Sequence, residues 1–66
     1  MNYWEIIAEE IKREGWSVGW VRAFVGSHLL WSVDANRGDG NRYIAQAEEL
    51  TVAMLELQKM TGAASR

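Results

Sequence analysis

Residues 16–35 read WSVGWVRAFVGSHLLWSVDA, a stretch of β-branched, aromatic and small residues interrupted by the dipeptide Gly26-Ser27. Residues of these types favour extended strands, and a Gly-Ser pair between two such runs is typical of a tight turn. The second run also alternates, with one set of positions apolar throughout (Leu29, Trp31, Val33 and Ala35) and the other mostly polar (His28, Leu30, Ser32 and Asp34). The stretch therefore predicts an antiparallel hairpin.

Two helices and a third strand complete the predicted fold. Apolar residues recur at the i, i+3, i+4, i+7 spacing on both sides of the β-rich region, which indicates amphipathic helices. A run of turn formers at 36–41 separates the hairpin from a further β-rich stretch. The predicted order is helix 3–14, strands 16–25, 28–35 and 42–47, and helix 48–60. This is an α+β fold (αβββα), in which a three-stranded antiparallel meander carries both helices on one face.

The helix ends have recognisable signals. Asn2 can act as the N-cap of the first helix, with Glu5 three positions later as in a capping box, and Gly15 suits the left-handed position beyond its last turn. Gly62 plays the same part after the second helix. We expect one domain at 1–62 and a frayed tail at 63–66.

The first strand has apolar residues on both of its faces, so its orientation stays open. We expect Gly19 and Ala23 to face the helices, because small residues let helices approach closely, although the opposite choice is compatible with the pattern. The expected choice places aromatic side chains on the face without helices, where an apolar patch would mark a partner surface. The predicted interaction surface consists of Trp20, Phe24, Leu30 and Ile44. The predicted core consists of Trp4, Ile7, Ala8, Ile11, Val21, Trp31, Val33, Leu50, Met54 and Leu57.

Composition excludes several classes of function. The 66 residues contain no Cys, which excludes disulfides and thiolate zinc sites, and 48% of them are hydrophobic, which favours an ordered core. The net charge of −2 provides no long-range attraction for nucleic acid, which is disfavoured as a partner. No segment approaches the roughly 20 apolar residues of a membrane span, so we expect no membrane partner and a cytoplasmic location.

Few residues offer chemistry. His28 is the single histidine and the one obvious acid-base candidate, but a solvated His at the start of a strand is the commoner situation. The stretch 34–45 resembles a calcium loop at its first and third positions but lacks the required Gly and the bidentate Glu, so a polar turn is favoured. Arg37 and Arg42 flank the turn and are candidates for an anion contact. We predict no metal, no cofactor and no catalytic residue.

Three resemblances bear on function. The predicted element order resembles double-stranded-RNA-binding domains, which implies groove binding, although the second helix here begins at Ala47-Glu48-Glu49 rather than with lysines. Gly26-Ser27-His28 is similar to the Gly-Ser-His of HicA-type toxins, which implies RNA cleavage with His28 as the catalytic residue. The segments 3–7, 15–17 and 47–51 resemble short bacterial proteins of uncharacterised function, which implies a complete small protein.

The sequence thus leaves two function classes. The favoured one is a small non-enzymatic protein-interaction module that contacts a protein partner, or a second copy of itself, through the open sheet face or an edge strand. The alternative is a nucleic-acid-binding or HicA-like RNA-cleaving protein that uses His28.

Overall fold

A computed structural model describes residues 2–63 and confirms the predicted α+β fold. The three strands form one open antiparallel sheet in the order β1-β2-β3. A helix precedes the sheet and another follows it. The elements are α1 (Tyr3–Arg13), β1 (Ser17–Val25), β2 (His28–Asn36), β3 (Arg42–Ala47) and α2 (Leu50–Thr61).

The helix ends follow the predicted signals. The Glu5 carboxylate accepts a hydrogen bond of 2.8 Å from the Asn2 backbone N–H, and Gly15 adopts a φ of +93° after the last turn of α1. α2 begins two residues later than predicted, because Glu49 is still extended (φ −115°, ψ 138°) and acts as the N-cap. Gly62 ends α2 in the left-handed conformation.

One side of the sheet and the inner faces of both helices form the core. α1 lies over β1, and α2 packs on β2, β3 and α1. Three of the predicted core residues are only partly buried against this core, namely Trp4, Trp31 and Leu50. The prediction that Val21 lies in the core is wrong, since Val21 is 61% exposed. The buried apolar residues are Ile7, Ala8, Ile11, Trp16, Val33, Ala35, Ala45, Ala53, Met54, Leu57 and Ala63.

Burial of Ala63 extends the packed domain beyond the predicted boundary. Its N–H donates to the Gln58 carbonyl at 3.2 Å, and its own carbonyl accepts from Gln58 Nε2 at 3.2 Å. The same Nε2 donates to the Glu10 carboxylate at 2.7 Å, so one buried amide joins α1, α2 and the end of the described chain. The predicted fraying of residues 64–66 lies outside the described residues.

The orientation of β1 is the reverse of the expected one. The register pairs Trp20 with Val33 and Val18 with Ala35, so the even-numbered residues of β1 share the side that faces the helices. This orientation turns large apolar side chains toward the core, where each buries more area than a glycine or alanine could. Small residues do face the helices, but they come from the neighbouring strands, as with Ala45.

Gly19 therefore has a different role from the expected one. It lies on the side of the sheet without helices, directly opposite Asp34 in the register. A Cβ added at Gly19 would lie 2.9 Å from Asp34 Oδ1, so the glycine makes room for this carboxylate rather than for a helix. Asp34 in turn lies 3.8 Å from Arg42 Nε.

The β1–β2 hairpin extends past the rest of the sheet. β3 pairs with β2 only from Trp31 to Asn36, whereas β1 and β2 continue to pair as far as Val25 and His28. We call residues 23–30, the part of the hairpin without a β3 neighbour, the hairpin arm. None of its side chains is buried.

Candidate protein-interaction surface

Apolar side chains are exposed on both sides of the hairpin arm. Phe24 and Leu29 are directly paired across the two strands on the helix-facing side, and they are 75% and 39% exposed. Val25 is exposed on the opposite side. A monomeric protein rarely leaves contiguous apolar residues of this size in water, so the arm has the composition of a contact surface.

The four residues of the predicted interaction surface lie on two different sides of the sheet. Leu30 and Ile44 are on the side without helices, as predicted, and Ile44 is exposed. Trp20 and Phe24 are on the helix-facing side, which is the consequence of the reversed β1 orientation. Both are exposed, Trp20 by 38% and Phe24 by 75%. That these residues contact a partner stays a prediction.

A groove of about 240 Å³ lies between α1 and the outer edge of β1. Its floor is formed by Trp4 and Trp20, whose rings meet edge-on with centroids 5.0 Å apart. The remaining lining residues, on the flank of α1, are Glu5, Ala8, Glu9 and Lys12. Glu10, which reaches Gln58 of α2, is on the other flank, so the groove opens away from α2 and along the free edge of β1.

At the end of the sheet away from the hairpin arm, an arginine stacks on a buried tryptophan ring. The Arg37 guanidinium lies 4.2 Å from the centroid of the buried Trp16 ring and donates a 2.9 Å hydrogen bond to the Glu14 carbonyl. Arg42 is on the side without helices and faces Asp34. The two predicted anion-contacting arginines are therefore engaged with different groups, and an anion contact stays a prediction.

The remaining candidate groups have local partners. His28 lies in the hairpin arm with a side chain that is largely exposed, and its Nδ1 is 4.0 Å from a Glu48 carboxylate oxygen. Asp39 accepts hydrogen bonds from the backbone N–H of Asn41 at 3.0 Å and from its side chain at 3.2 Å. This carboxylate stabilises its own turn.

The sequence-based prediction named Phe24 and Leu30 of the arm and Trp20 of the groove, but it identified neither the arm nor the groove as a surface. One signal was available for the arm, because the first two predicted strands are longer than the third and must overhang it. No sequence pattern indicates the groove, because the groove forms only where a flank of α1 meets β1. The orientation of β1 is ambiguous in the sequence.

Comparisons with known proteins place no family beside this geometry. No protein-family model, no curated protein and no solved structure matches the chain.

Within residues 2–63, no helix combines the length and the apolar character that a membrane crossing requires.

Proposed function

We propose that this protein is a small non-enzymatic protein-interaction module whose hairpin arm is the main contact element. The observation that carries the proposal is the exposure of Phe24 and Leu29 side by side on a strand pair that β3 does not reach. Aromatic residues are enriched at the centres of protein interfaces, where their burial contributes much of the affinity. Phe24 is accordingly the proposed anchor.

The arm is also shaped for contact. Both of its strands have a free edge, and apolar side chains are exposed on both of its sides. An isolated two-stranded ribbon is only marginally stable in water, and a partner that covers it would stabilise it. Leu30 and Ile44 extend the apolar surface along the side of the sheet without helices.

Site-specific photo-cross-linking in living cells of the natural host tests this function. Phe24 is replaced by benzoyl-phenylalanine, which keeps an aromatic side chain at the position. Val52, which is 45% exposed on α2, carries the same probe in the control. Position 24 should give a discrete protein adduct on irradiation, which mass spectrometry identifies as a second copy or as another protein.

Two results would reject the function. One is the absence of any protein adduct from position 24, and the other is the same adduct pattern from positions 24 and 52. A nucleic-acid adduct from position 24 would favour the alternative RNA-directed function instead.

A further inference from the structure

The free edge of β1 is the longest unpaired strand edge in the described residues. β1 has nine residues against six in β3, it contains no proline, and Arg22 is its only charged residue. Natural proteins usually protect such edges with charges, prolines or bulges, because an unprotected edge presents N–H and C=O groups that pair readily with another strand. This edge is open to strand addition.

We propose that a second copy of this chain docks here, by antiparallel pairing of the two β1 edges, to form a dimer with one six-stranded sheet. The proposal rests on the interaction function above and names its partner. Symmetric dimers with a two-fold axis are the commonest protein oligomers, and antiparallel edge pairing satisfies that symmetry.

Symmetry restricts the register of the two strands. The register that pairs all nine residues of Ser17–Val25 places Val21 opposite Val21 of the second copy. It also places Arg22 opposite Trp20 and Phe24 opposite Val18. Shifting the centre by one residue toward the arm would set Arg22 directly against its own copy, and like charges in that position are destabilising. The full-length register is therefore the preferred one.

The groove beside Trp20 is complementary to Arg22 of the second copy. Within its own chain this guanidinium lies 5.0 Å from the centroid of the Trp31 ring. In the full-length register it also lies opposite Trp20 of the other copy, on the helix-facing side that carries the Trp4–Trp20 pair, Glu5 and Glu9. Glu9 already pairs with Lys12 at 3.4 Å, whereas Glu5 accepts the 2.8 Å hydrogen bond from the Asn2 N–H and has no ion-pair partner within residues 2–63. A guanidinium between an indole face and a carboxylate combines cation–π and charge-assisted contacts.

The same register covers the exposed Phe24. α1 runs back along β1, because Gly15 reverses the chain and Trp4 reaches Trp20. The helix thus lies over the half of β1 that contains Val18, while the half that contains Phe24 is bare. Two-fold pairing about Val21 brings the bare half of each strand beside the covered half of the other, so that Phe24 is adjacent to the partner's groove.

Substitutions that place opposite charges at Val21, the residue on the two-fold axis, test this register. Val21 is exposed, so Val21→Lys and Val21→Glu should each fold as the unsubstituted chain does, as circular dichroism can verify. Light scattering after size separation should give twice the 7.5 kDa chain mass for the unsubstituted protein and a dissociation constant raised at least about tenfold in each variant. An equimolar mixture of the two variants should regain the dimer. Val21→Thr, which keeps a β-branched side chain, should remain dimeric.

The groove contact has its own pair of variants. Arg22→Ala should weaken the dimer several-fold, while Arg42→Ala, on the side without helices, should leave it unchanged. An unsubstituted chain that stays at 7.5 kDa at all concentrations, or a dimer insensitive to Val21→Lys, would overturn the proposal. A mixture that fails to recover would overturn the register. A monomer that still cross-links to another protein from position 24 would reject the dimer and keep the interaction function.

Discussion

β1 and β2 run through two regions of the molecule that differ in their surroundings. One is the base of the sheet, where β3 also pairs, and the other is the hairpin arm. In the base, Val33 and Ala35 are buried beneath the helices, whereas Phe24 in the arm is 75% exposed. Residue type does not explain the contrast, since both regions are rich in aromatic and β-branched residues. On the helix-facing side, burial is decided by how far the helices extend, and apolar side chains beyond that limit, such as Phe24, stay exposed.

Leu57→Ala should produce the largest loss of stability, because Leu57 is fully buried under the base of the sheet. Removing a buried leucine side chain leaves a cavity, and the expected cost is about 2–5 kcal/mol of unfolding free energy. Chemical denaturation followed by tryptophan fluorescence measures it. The control is Val52→Ala on the exposed face of the same helix, which should change stability by less than about 1 kcal/mol. Equal losses in the two variants would show that α2 does not pack as described.

Gln58→Met should be the next most destabilising change. The substitution keeps the length of the side chain but removes the Nε2 donor that serves Glu10 and the Ala63 carbonyl. Leaving these acceptors unpaired should cost about 1–3 kcal/mol. Lys59→Met, at the exposed neighbouring position, is the matched control in the same denaturation assay. A neutral effect of Gln58→Met would mean that this amide does not join the two helices.

Phe24→Ser is the variant that best distinguishes the arm from the base, because it should reduce association without reducing stability. Because Phe24 is mostly exposed, the substitution should change the stability of the dilute protein by less than about 1 kcal/mol, as for other surface sites. Association should fall strongly in light scattering over a concentration series. Val52→Ser should affect neither property. A loss of stability as large as that of Leu57→Ala would place Phe24 in the core and remove the distinction between the two regions.

His28→Ala should have the smallest effect of all. Its side chain is exposed in the arm, and its nearest charged group is Glu48 at 4.0 Å. Stability and association should both stay within error of the unsubstituted protein. If expression of the unsubstituted chain arrests growth or degrades RNA, and His28→Ala abolishes that effect, the RNA-cleaving function would replace the one proposed.

Much of the fold is predictable from sequence, because strong local patterns agree with the final packing. The alternation in β2 correctly assigns Val33 to the core and Leu30 to the side without helices. β1 has no such alternation, since Trp20 and Val21 are both apolar, and its orientation depends on total buried area rather than on local pattern. Gly19 added to the error, because its fit to the Asp34 carboxylate appears only once the strands are paired.

The candidate site was less predictable for a related reason. Phe24 was predicted to be a contact residue on the side without helices, but the register places it on the helix-facing side. Its exposure depends on the overhang of the hairpin beyond β3 and the helices, which is a tertiary property. The groove depends on one helix flank and one strand edge lying side by side, and neither Glu5 nor Trp20 signals that proximity alone.

Hydrogen exchange at two protein concentrations tests the central claim most directly, because it compares the arm and the base within one molecule. Amides of the base, such as that of Val33, should exchange slowly at both concentrations, since they open only with the core. Amides of residues 23–30 should exchange quickly in dilute protein and become protected as concentration rises, and Phe24→Ser should abolish that gain. An arm already as protected as the base in dilute protein would contradict the account, and an arm indifferent to concentration would reject a second copy of the chain as its partner.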